Sequence, residues 1–288
     1  MEIEQPGLVD AVKEAKRVLQ TNGTLVERHV GGWCLQDEGF VKMREIRNVL
    51  ITVDDPRNIW HNQVNRGLLL ETLDILLGLN PGFVHKEWGF YNKWRTKNWK
   101  YPYTYGERIF SDQINQWNEC VKILRAEPTS RQASIVIRRP EDLLVSFTPC
   151  SISLQFYVDD RRRLSTTWMM RSNDIAIGGL PRNIFIGCQL QMQMALATKL
   201  AVGKYHHFDV NLHHYTNKPK VLIELDKLKS EVNRHGNPPY LDDEAKSILR
   251  GFLESFFESG KVGDLRKYKG LEPYWKDWLN RIAQKKVP

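Results

Sequence analysis

The sequence predicts an α+β fold in which a mixed or mainly antiparallel sheet packs against helices. Helix and strand patterns follow one another without a regular βαβ alternation. Residues 150–170 have the alternation and the polar turn of a β-hairpin, and residues 184–200 are apolar enough for one long central helix. The hairpin and the central helix are therefore the main expected features of the fold.

The remaining elements follow from hydrophobic spacing and from the residues that end each pattern. Apolar side chains recur at helical spacing in four further segments, and glycines at positions 23 and 78 end the first two of them. Short apolar, β-branched runs predict two further strands. The predicted helices are 7–21, 63–77, 111–125 and 243–259, and the predicted strands are 49–53 and 134–139.

Composition indicates a single domain that spans residues 1–288. Of the 288 residues 41% are hydrophobic, which is enough for a sizeable core, and no Pro/Gly/Ser-rich linker divides the chain. No apolar run approaches the roughly 18 residues that a membrane helix needs, and the start MEIEQPGLVD is acidic rather than signal-like. We therefore expect a cytoplasmic protein without a membrane partner.

Cysteine spacing and charge argue against two classes of partner. Cys34, Cys120, Cys150 and Cys188 are widely scattered and form no CxxC pair, so we expect neither a metal site nor a disulfide framework. The net charge of +8 permits nucleic-acid binding, but the basic residues are spread along the chain rather than gathered in one arm. We expect no nucleic-acid partner, although a basic surface also attracts a small phosphorylated substrate.

The predicted hairpin places a thiol beside a guanidinium. A turn centred on Asp160 and Arg161 pairs Cys150 with Arg171 at a Cβ separation of roughly 5 Å. A thiol is a strong nucleophile only as the thiolate, and a nearby cation favours that form. Cys150 is thus a candidate nucleophile; the alternative is a small buried hydrophobe beside an ordinary edge charge. The alternation also predicts that one face of the first strand carries Ile152, Leu154, Phe156 and Val158.

Two further features leave alternatives open. Glu71 follows three leucines inside the predicted helix 63–77, so it is either rotated to solvent or held in a cavity, where a carboxyl group keeps its proton more tightly. The segment 83–108 interleaves aromatic and basic side chains. These form either a wall for a flat ring or a loop anchored to the core.

Six motifs in one order resemble the thymidylate synthase family, which includes the pyrimidine nucleotide C5-hydroxymethylases. Between residues 65 and 217 they read LLLETLDILLG, YGER, PTSRQ, PCSISLQFYV, RSNDIAIGGLPRN and LHHYTN. The resemblance implies a thymidylate-synthase-like α+β domain that forms a homodimer through its sheet. It also implies a pyrimidine nucleoside monophosphate as substrate and 5,10-methylenetetrahydrofolate as cofactor.

The resemblance assigns roles to the residues that would bind and attack the nucleotide. Cys150 is similar to the nucleophile that adds to C6 of the pyrimidine ring. Arg171 and Ser172 are similar to ligands of the 5′-phosphate, and Arg131 is similar to an arginine that reaches this phosphate from the partner subunit.

Further nucleotide contacts follow from the same resemblance. His213 and Tyr215 match the residues that hold the sugar hydroxyl, and Asn183 matches the amide that reads the base edge. Arg28 is a candidate for one more phosphate contact. Its rivals for that role are Arg44 and Arg47.

The folate and proton-transfer sites complete the set. Asp174 matches the catalytic carboxylate that contacts the pterin, and Tyr91 and Trp94 are expected near the folate. Glu71 and Tyr105 resemble members of the proton-transfer and water network.

Several positions differ from the methylating branch of the family. The usual histidine after the nucleophile is Ser151, the second arginine of an SRR pattern is Gln132, and the tryptophan expected near YNKW is Tyr91. The indole of a tryptophan would exclude water from the reactive methylene group, whereas the phenol of Tyr91 presents a hydroxyl there. This change favours hydration of the methylene group, which implies C5-hydroxymethylation. The alternatives are a thymidylate synthase that methylates dUMP and a non-catalytic nucleotide- or RNA-binding protein.

The base and the sugar depend on a few positions. The motif RSND, with Asn173 between the serine and the aspartate, is similar to the corresponding motif of the phage deoxycytidylate hydroxymethylases. The expected substrate is therefore CMP or dCMP. One extra glycine puts Asn183 nine residues after Asp174 instead of eight, so the amide is either displaced or compensated by a bulge. An amide can serve uracil or cytosine by flipping. Ala176 leaves room for a ribose 2′-hydroxyl, which would point to the CMP hydroxymethylases of nucleoside-antibiotic pathways.

Overall fold

The computed structural model describes residues 1–30, 39–80, 82–87, 103–110, 113–144, 148–232, 236–259 and 270–284. Within these ranges the chain forms a mixed sheet with helices packed on it, which confirms the predicted α+β class. One cluster of buried apolar side chains joins helices to sheet and includes residues from Ile3 to Ile282. No helix in the described ranges combines the length and the apolarity that a membrane crossing requires.

The sheet is built around two long strands. The strands of the described ranges are β1 (Glu2–Gln5), β2 (Thr24–Val30), β3 (Gly39–Val53), β4 (Ser134–Val136), β5 (Ser151–Val158), β6 (Arg163–Met170), β7 (Asn173–Asp174) and β8 (Ala201–Tyr215). Their order is β1-β3-β8-β6-β5-β4, with β2 on β3 and β7 on β8. The central strand β8 pairs antiparallel with β3 and parallel with β6 and β7, so the sheet is mixed as expected.

The helices include the predicted central one. They are α1 (Leu8–Asn22), α2 (Arg66–Leu76), α3 (Val84–Glu87), α4 (Tyr105–Phe110), α5 (Gln116–Ala126), α6 (Leu180–Thr198), α7 (Lys220–Asp226), α8 (Asp243–Ser259) and α9 (Pro273–Ala283), with a 3-10 helix at Pro140–Leu144. Helix α6 connects β7 to β8, and of its residues all but Asn183 and Leu196 are buried. Its largely apolar sequence reflects a position inside the fold, where the side chains of Gln189, Gln191 and Gln193 are buried as well.

Capping residues explain where the helices differ from the predicted bounds. Helix α2 starts at Arg66 because the Asn65 side chain accepts the Leu68 N–H at 3.0 Å. Gly78 follows this helix with φ of 67°, a conformation that favours glycine, and ends it as predicted. Helix α5 starts later than predicted, after Asn115 caps its first turn. Helix α8 has the predicted bounds, whereas the predicted strand 134–139 is paired only over β4.

The turn of the β5–β6 hairpin is longer than predicted. Asp159 N–H donates to the Arg163 carbonyl at 2.9 Å, which closes a three-residue loop. Arg162 in this loop has φ of 58°, as is usual for a three-residue hairpin turn that ends in a left-handed residue. The longer loop shifts the register of the strands by one residue relative to the prediction.

A β-bulge then restores the predicted register at the functional end of the hairpin. It lies between Ser151 and Ser153, and beyond it Ser151 pairs with Met170. The bulge also reverses the alternation, so that Ser151 is buried and Ile152 is only partly buried. The prediction that Ile152 shares the inward face of Leu154 is therefore wrong.

Candidate active site

Cys150 and Arg171 stand opposite each other at the end of the β5–β6 hairpin. Arg171 N–H donates to the Cys150 carbonyl at 2.8 Å. The Arg171 guanidinium donates from Nε to the Pro149 carbonyl at 2.9 Å, and from Nη2 to the Thr148 carbonyl and hydroxyl at 3.0 and 2.9 Å. These bonds hold the guanidinium against the segment that carries the thiol, and among the described residues Nη1 has no partner.

The Cys150 thiol is subject to opposing electrostatic effects. Burial raises the pKa of this thiol, the Arg171 charge lowers it, the Asp209 charge raises it, and the Arg138 charge lowers it. The net result is a pKa above that of an ordinary thiol. Arg171 acts in the expected direction, but desolvation outweighs it, so the thiol has to lose its proton as it attacks.

Tyr105 and Ser151 lie directly beside Cys150. Ser151 N–H donates to the Tyr105 hydroxyl at 3.2 Å, and Trp168 Nε1 donates to the buried Ser151 Oγ at 2.5 Å. Ser151 thus anchors Trp168. Burial raises the pKa of Tyr105, so its phenol stays neutral and able to donate a proton.

A buried ion pair fixes the helix that carries Tyr105. Arg108 Nη1 and Nη2 donate to the two carboxylate oxygens of Asp142 at 2.6 and 2.7 Å, and Nη1 also donates to the Ile137 carbonyl. The pair connects α4 to the 3-10 helix at Pro140–Leu144. Bidentate geometry of this kind sets both distance and orientation.

Glu71 forms an ion pair that the sequence did not predict. Arg182 Nη1 donates to Glu71 Oε2, and the two side chains are 7% and 22% exposed, respectively. Glu71 is therefore neither turned to solvent nor enclosed among leucines alone. Arg182 lies in the first turn of α6, directly before Asn183, so this turn supplies two side chains to the site.

Strands β7 and β8 align Asp174 with the residues expected at the sugar. Asp174 pairs with His213 in parallel register, and its Oδ1 accepts the Ala176 N–H at 3.0 Å. Burial lowers the pKa of His213, and the Asp174 charge opposes this effect. The rings of His213 and Tyr215 meet edge to face at 4.9 Å.

Asn183 remains at the site despite the extra glycine. Its Nδ2 donates to Asn173 Oδ1 at 3.0 Å. The turn before α6 absorbs the additional residue, since Gly179 N–H donates to the Ala176 carbonyl at 2.8 Å. A Cβ at Gly179 would lie 2.0 Å from the Asp174 carbonyl, so only glycine allows this approach.

The three arginines considered as additional phosphate ligands all have protein partners. Arg28 Nη2 and Arg47 Nη2 lie 2.5 and 3.2 Å from Glu45 Oε1, and Arg44 donates to the Gly23 carbonyl at 2.7 Å. The hydrogen bond from Arg28 contributes most to lowering the pKa of Glu45 to about 2. Arg28 is thus tied to a carboxylate that is itself buried.

Glu45 connects Arg28 to His213. Asn211 Nδ2 donates to Glu45 Oε2 at 2.8 Å, and Asn211 Oδ1 lies 3.1 Å from His213 Nδ1. Because an amide carbonyl only accepts, His213 carries its proton on Nδ1, and Nε2 is left as an acceptor. A sugar hydroxyl is a suitable donor for that nitrogen.

The remaining predicted residues are less completely placed. Tyr91 and Trp94 lie outside the described residues. Ser172 is partly buried directly after Arg171, and Arg131 is exposed on the loop before the edge strand β4.

Sequence reasoning missed three charged residues near the site, namely Arg138, Arg182 and Asp209. Asp209 had a detectable signal, because it is one of several polar residues at period two along β8 that the structure buries. Arg138 and Arg182 lie at positions where a solvated charge was the simpler interpretation.

Comparisons with known proteins agree with this arrangement. A family model described as thymidylate synthase matches residues 74–248. Thymidylate synthase 1/2 of Encephalitozoon cuniculi (strain GB-M1) is 30% identical over 122 residues, which are 42% of this chain and 39% of that relative. The match thus spans about two fifths of the relative's length.

A solved structure supports the fold. The thermostable thymidylate synthase A from Bacillus subtilis superposes with a TM-score of 0.64 at 20% identity, over 77% of this chain and 84% of that chain. The family model covers more than half of the 288 residues and contains the segments with Cys150, Arg171 and Asn183. This chain therefore belongs to the thymidylate synthase family, whose one-carbon donor is 5,10-methylenetetrahydrofolate, the predicted cofactor.

Proposed function

We propose that this chain transfers a one-carbon unit to C5 of a cytidine monophosphate, CMP or dCMP, and hydrates that unit to a hydroxymethyl group. The observation that carries the proposal is the Cys150–Arg171 pair. A nucleophile and a guanidinium with Nη1 available lie on one end of a hairpin, beside the strand that holds His213. This arrangement suits a substrate with an anionic phosphate at one end and a ring that needs covalent activation at the other.

The chemistry follows from the positions of the protein groups. Cys150 Sγ adds to C6 of the pyrimidine, its proton leaves, and the displaced electron pair makes C5 a carbon nucleophile. Arg171 and Ser172 hold the phosphate, with His213 and Tyr215 at the sugar. Removal of the C5 proton requires a base, and the Glu71 carboxylate held by Arg182 is our candidate for it. Tetrahydrofolate would be the leaving group of the transferred carbon, water would add to the methylene group left at C5, and breakage of the C6–S bond would return Cys150 as the free thiol.

The residues present fit a folate, although only part of its expected site is described. Asp174 Oδ1 is occupied by the Ala176 N–H, so Oδ2 is left to accept N–H groups of a pterin. Tyr91 and Trp94 are proposed folate contacts on the basis of their sequence positions alone. When bound, 5,10-methylenetetrahydrofolate supplies a one-carbon unit at the oxidation level of formaldehyde.

Hydroxymethylation and methylation are separated by a direct assay. The purified protein is incubated with CMP, dCMP or dUMP and 5,10-methylenetetrahydrofolate, and the nucleotide product is identified by mass spectrometry. We expect a hydroxymethyl nucleotide from CMP or dCMP without a rise in dihydrofolate absorbance. If dUMP alone reacts and dihydrofolate accumulates, the methylating alternative replaces this proposal.

The same assay tests the non-catalytic alternative. Intact Cys150, Glu71, Arg171 and Asp174 favour an enzyme, since binding alone needs no nucleophile. Cys150→Ala is expected to abolish turnover while it leaves nucleotide binding largely intact. Full turnover by this variant would contradict the covalent mechanism.

We also propose that residues 1–288 act as one catalytic domain and that a second copy completes the site with its Arg131. The strands carry apolar side chains that face solvent in a single chain, and such a surface fits a partner of the same kind. These side chains are Leu25, Phe40, Val136 and Val210.

A further inference from the structure

A carboxylate is fully buried in the centre of the sheet behind the proposed nucleotide site. Asp209 on β8 is 0% exposed, pairs in register with Val49 on β3 and Met170 on β6, and is close enough to Cys150 to raise the pKa of its thiol. A charge in such a position is costly unless its neighbours satisfy it. The groups that surround Asp209 therefore indicate why it is there.

Asp209 is the first member of a chain of polar side chains that ends at Asn183. Asn173 Nδ2 lies 3.4 Å from Asp209 Oδ2 and 3.0 Å from His207 Nε2, and Asn183 Nδ2 donates to Asn173 Oδ1 at 3.0 Å. Asp209, His207 and Asn173 are buried, whereas Asn183 is only partly buried. The chain thus runs from the interior to the edge of the proposed base site.

The Asp209 carboxylate sets which groups donate and which accept along this series of hydrogen bonds. A carboxylate offers only acceptors, so Asn173 turns Nδ2 toward Asp209 and Oδ1 toward Asn183. Asn183 must then present Nδ2 to Asn173. His207 fits the same direction, because its Nε2 accepts from Asn173 and its Nδ1 carries the proton 2.9 Å from the Tyr205 hydroxyl. Nε2 also lies 3.4 Å from Asp209 Oδ1, and the Asn173 amide nitrogen, which carries two hydrogens, donates one to Nε2 and one to Asp209 Oδ2.

The consequence is an amide that cannot flip freely. With Nδ2 engaged by Asn173, Asn183 Oδ1 has no hydrogen-bond partner among the described residues. A flip of Asn183 would place its carbonyl against that of Asn173, and a flip of Asn173 would place a carbonyl against the buried carboxylate. Each flip breaks the hydrogen bond that the amide makes in the structure and adds a repulsive contact in its place.

We propose that Asp209, through Asn173, is a positioning residue that holds the Asn183 carbonyl toward the base and thereby selects a 4-amino pyrimidine over a 4-oxo one. The inference rests on the proposed function, since it requires a pyrimidine nucleotide in this site. The amino group of cytosine donates to Asn183 Oδ1. At the same position uracil carries an oxygen, which is an acceptor like Asn183 Oδ1, so no hydrogen bond forms between the two and their contact is repulsive.

The test measures discrimination rather than activity alone. Dissociation constants of CMP, UMP, dCMP and dUMP are determined by calorimetry for the full-length chain, and the cytosine-to-uracil ratio is compared within each sugar. Wild type is expected to favour cytosine by roughly 10-fold or more. Asp209→Asn, which can both donate and accept, frees Asn173 to flip and is expected to bring the ratio to about 1.

Two further variants separate orientation from mere stability. Asn183→Asp in the Asp209→Asn background presents acceptor oxygens whichever way the side chain is turned, so it is expected to restore the preference for cytosine. Asn173→Ser interrupts the same chain without removing the buried carboxylate and is expected to lower the ratio as Asp209→Asn does. Asp74→Asn changes another buried acid, whose hydrogen bonds are to the N–H groups of Phe83 and Val84 rather than to Asn173, and its ratio is expected to equal that of wild type.

The outcomes distinguish this inference from the proposed function. If wild type binds none of the four nucleotides, the proposed function is overturned, and the inference with it. If wild type binds them but prefers uracil, or if neither Asp209→Asn nor Asn173→Ser changes the ratio, the inference alone is overturned. The inference alone is also overturned if Asn183→Asp does not restore the preference for cytosine in the Asp209→Asn background.

Discussion

At the scale of the residue, the proton on Cys150 is decided by a competition between burial and two arginines. Burial is the largest effect and keeps the pKa of the thiol above its usual range, while Arg171 and Arg138 act against it. A guanidinium near a thiol in the sequence therefore does not by itself make a thiolate. The dielectric of the surroundings, which depends on the tertiary structure, sets the balance.

Alkylation kinetics test this balance. Arg171→Met is expected to slow the reaction of Cys150 with iodoacetamide at about pH 8 by roughly 3- to 10-fold, because it removes the main cation that lowers the pKa of this thiol. Arg138→Met should have a smaller effect in the same direction, and Asp209→Asn should accelerate the reaction. The modified peptide is identified by mass spectrometry.

The other described cysteines give little background in this experiment. Cys120 and Cys188 are buried, and burial raises the pKa of Cys120 to about 12. An unchanged rate in Arg171→Met would mean that the guanidinium does not influence the thiol.

The Glu71–Arg182 pair gives a second prediction for single residues. Arg182→Met leaves a largely buried carboxylate without its cation and is expected to lower the free energy of unfolding by about 3 kcal/mol. It should also reduce kcat more than it changes KM, because Glu71 is the proposed base. The measurements are urea denaturation and steady-state kinetics.

A double variant separates the two effects. Glu71→Gln with Arg182→Met removes both charges, so it is expected to recover much of the stability without recovering turnover. Recovery of turnover as well would show that Glu71 is not the base.

At the scale of the element, a buried aspartate on α2 organises the start of α3. Asp74 Oδ1 and Oδ2 accept the N–H groups of Phe83 and Val84 at 2.7 Å each. A Cβ at Gly82 would lie 2.2 Å from Asp74 Oδ2, so the chain passes too close for any other residue. Burial raises the pKa of Asp74 to about 7, although the two N–H groups oppose this effect.

The raised pKa of Asp74 predicts a pH dependence of stability. The folded protein binds this proton more tightly than the unfolded chain, in which the pKa is about 3.9. Protonated Asp74 therefore contributes its full share to the free energy of unfolding below about pH 4. This share is lost as pH rises toward 7, and the loss amounts to at most about 4 kcal/mol. Urea denaturation of wild type and Asp74→Asn at several pH values isolates this contribution. The difference between the two should change across that window, and a constant difference would contradict the raised pKa.

At the scale of the whole molecule, the site is expected to need two copies of the chain. Arg131 is exposed beside the edge strand β4, and apolar side chains on the strands face solvent in a single copy. A closed dimer would bury the sheet surface and bring each Arg131 toward the partner's phosphate site.

Mixing two inactive variants tests this arrangement. Cys150→Ala and Arg131→Ala are each expected to have little activity, and their mixed dimer should contain one complete site. Random exchange of subunits then restores about one quarter of the wild-type activity, because half of the dimers are mixed and each has one of two sites intact. No recovery after exchange, with mixed dimers verified by mass spectrometry, would place Arg131 outside the partner's site.

Much of the fold was predictable because periodicity and stop residues act locally. Helix α8, the end of α2 at Gly78 and the buried helix α6 follow from spacing, and the predicted hairpin pairing placed Cys150 opposite Arg171. The predicted register was nevertheless reached by compensation, since a longer turn and a bulge shift it in opposite directions. Neither irregularity leaves a mark in a pattern of period two.

The order of the motifs was enough to indicate the family, and pairing within one hairpin was enough to predict Cys150 as a candidate nucleophile with Arg171 beside it. Which other charges surround this pair followed from the folded structure alone. Arg182 meets Glu71 across 111 positions, and Asp209 reaches Asn183 through Asn173 from another strand. Such contacts depend on how distant segments pack, and a buried carboxylate or arginine looks the same in a sequence as an exposed one.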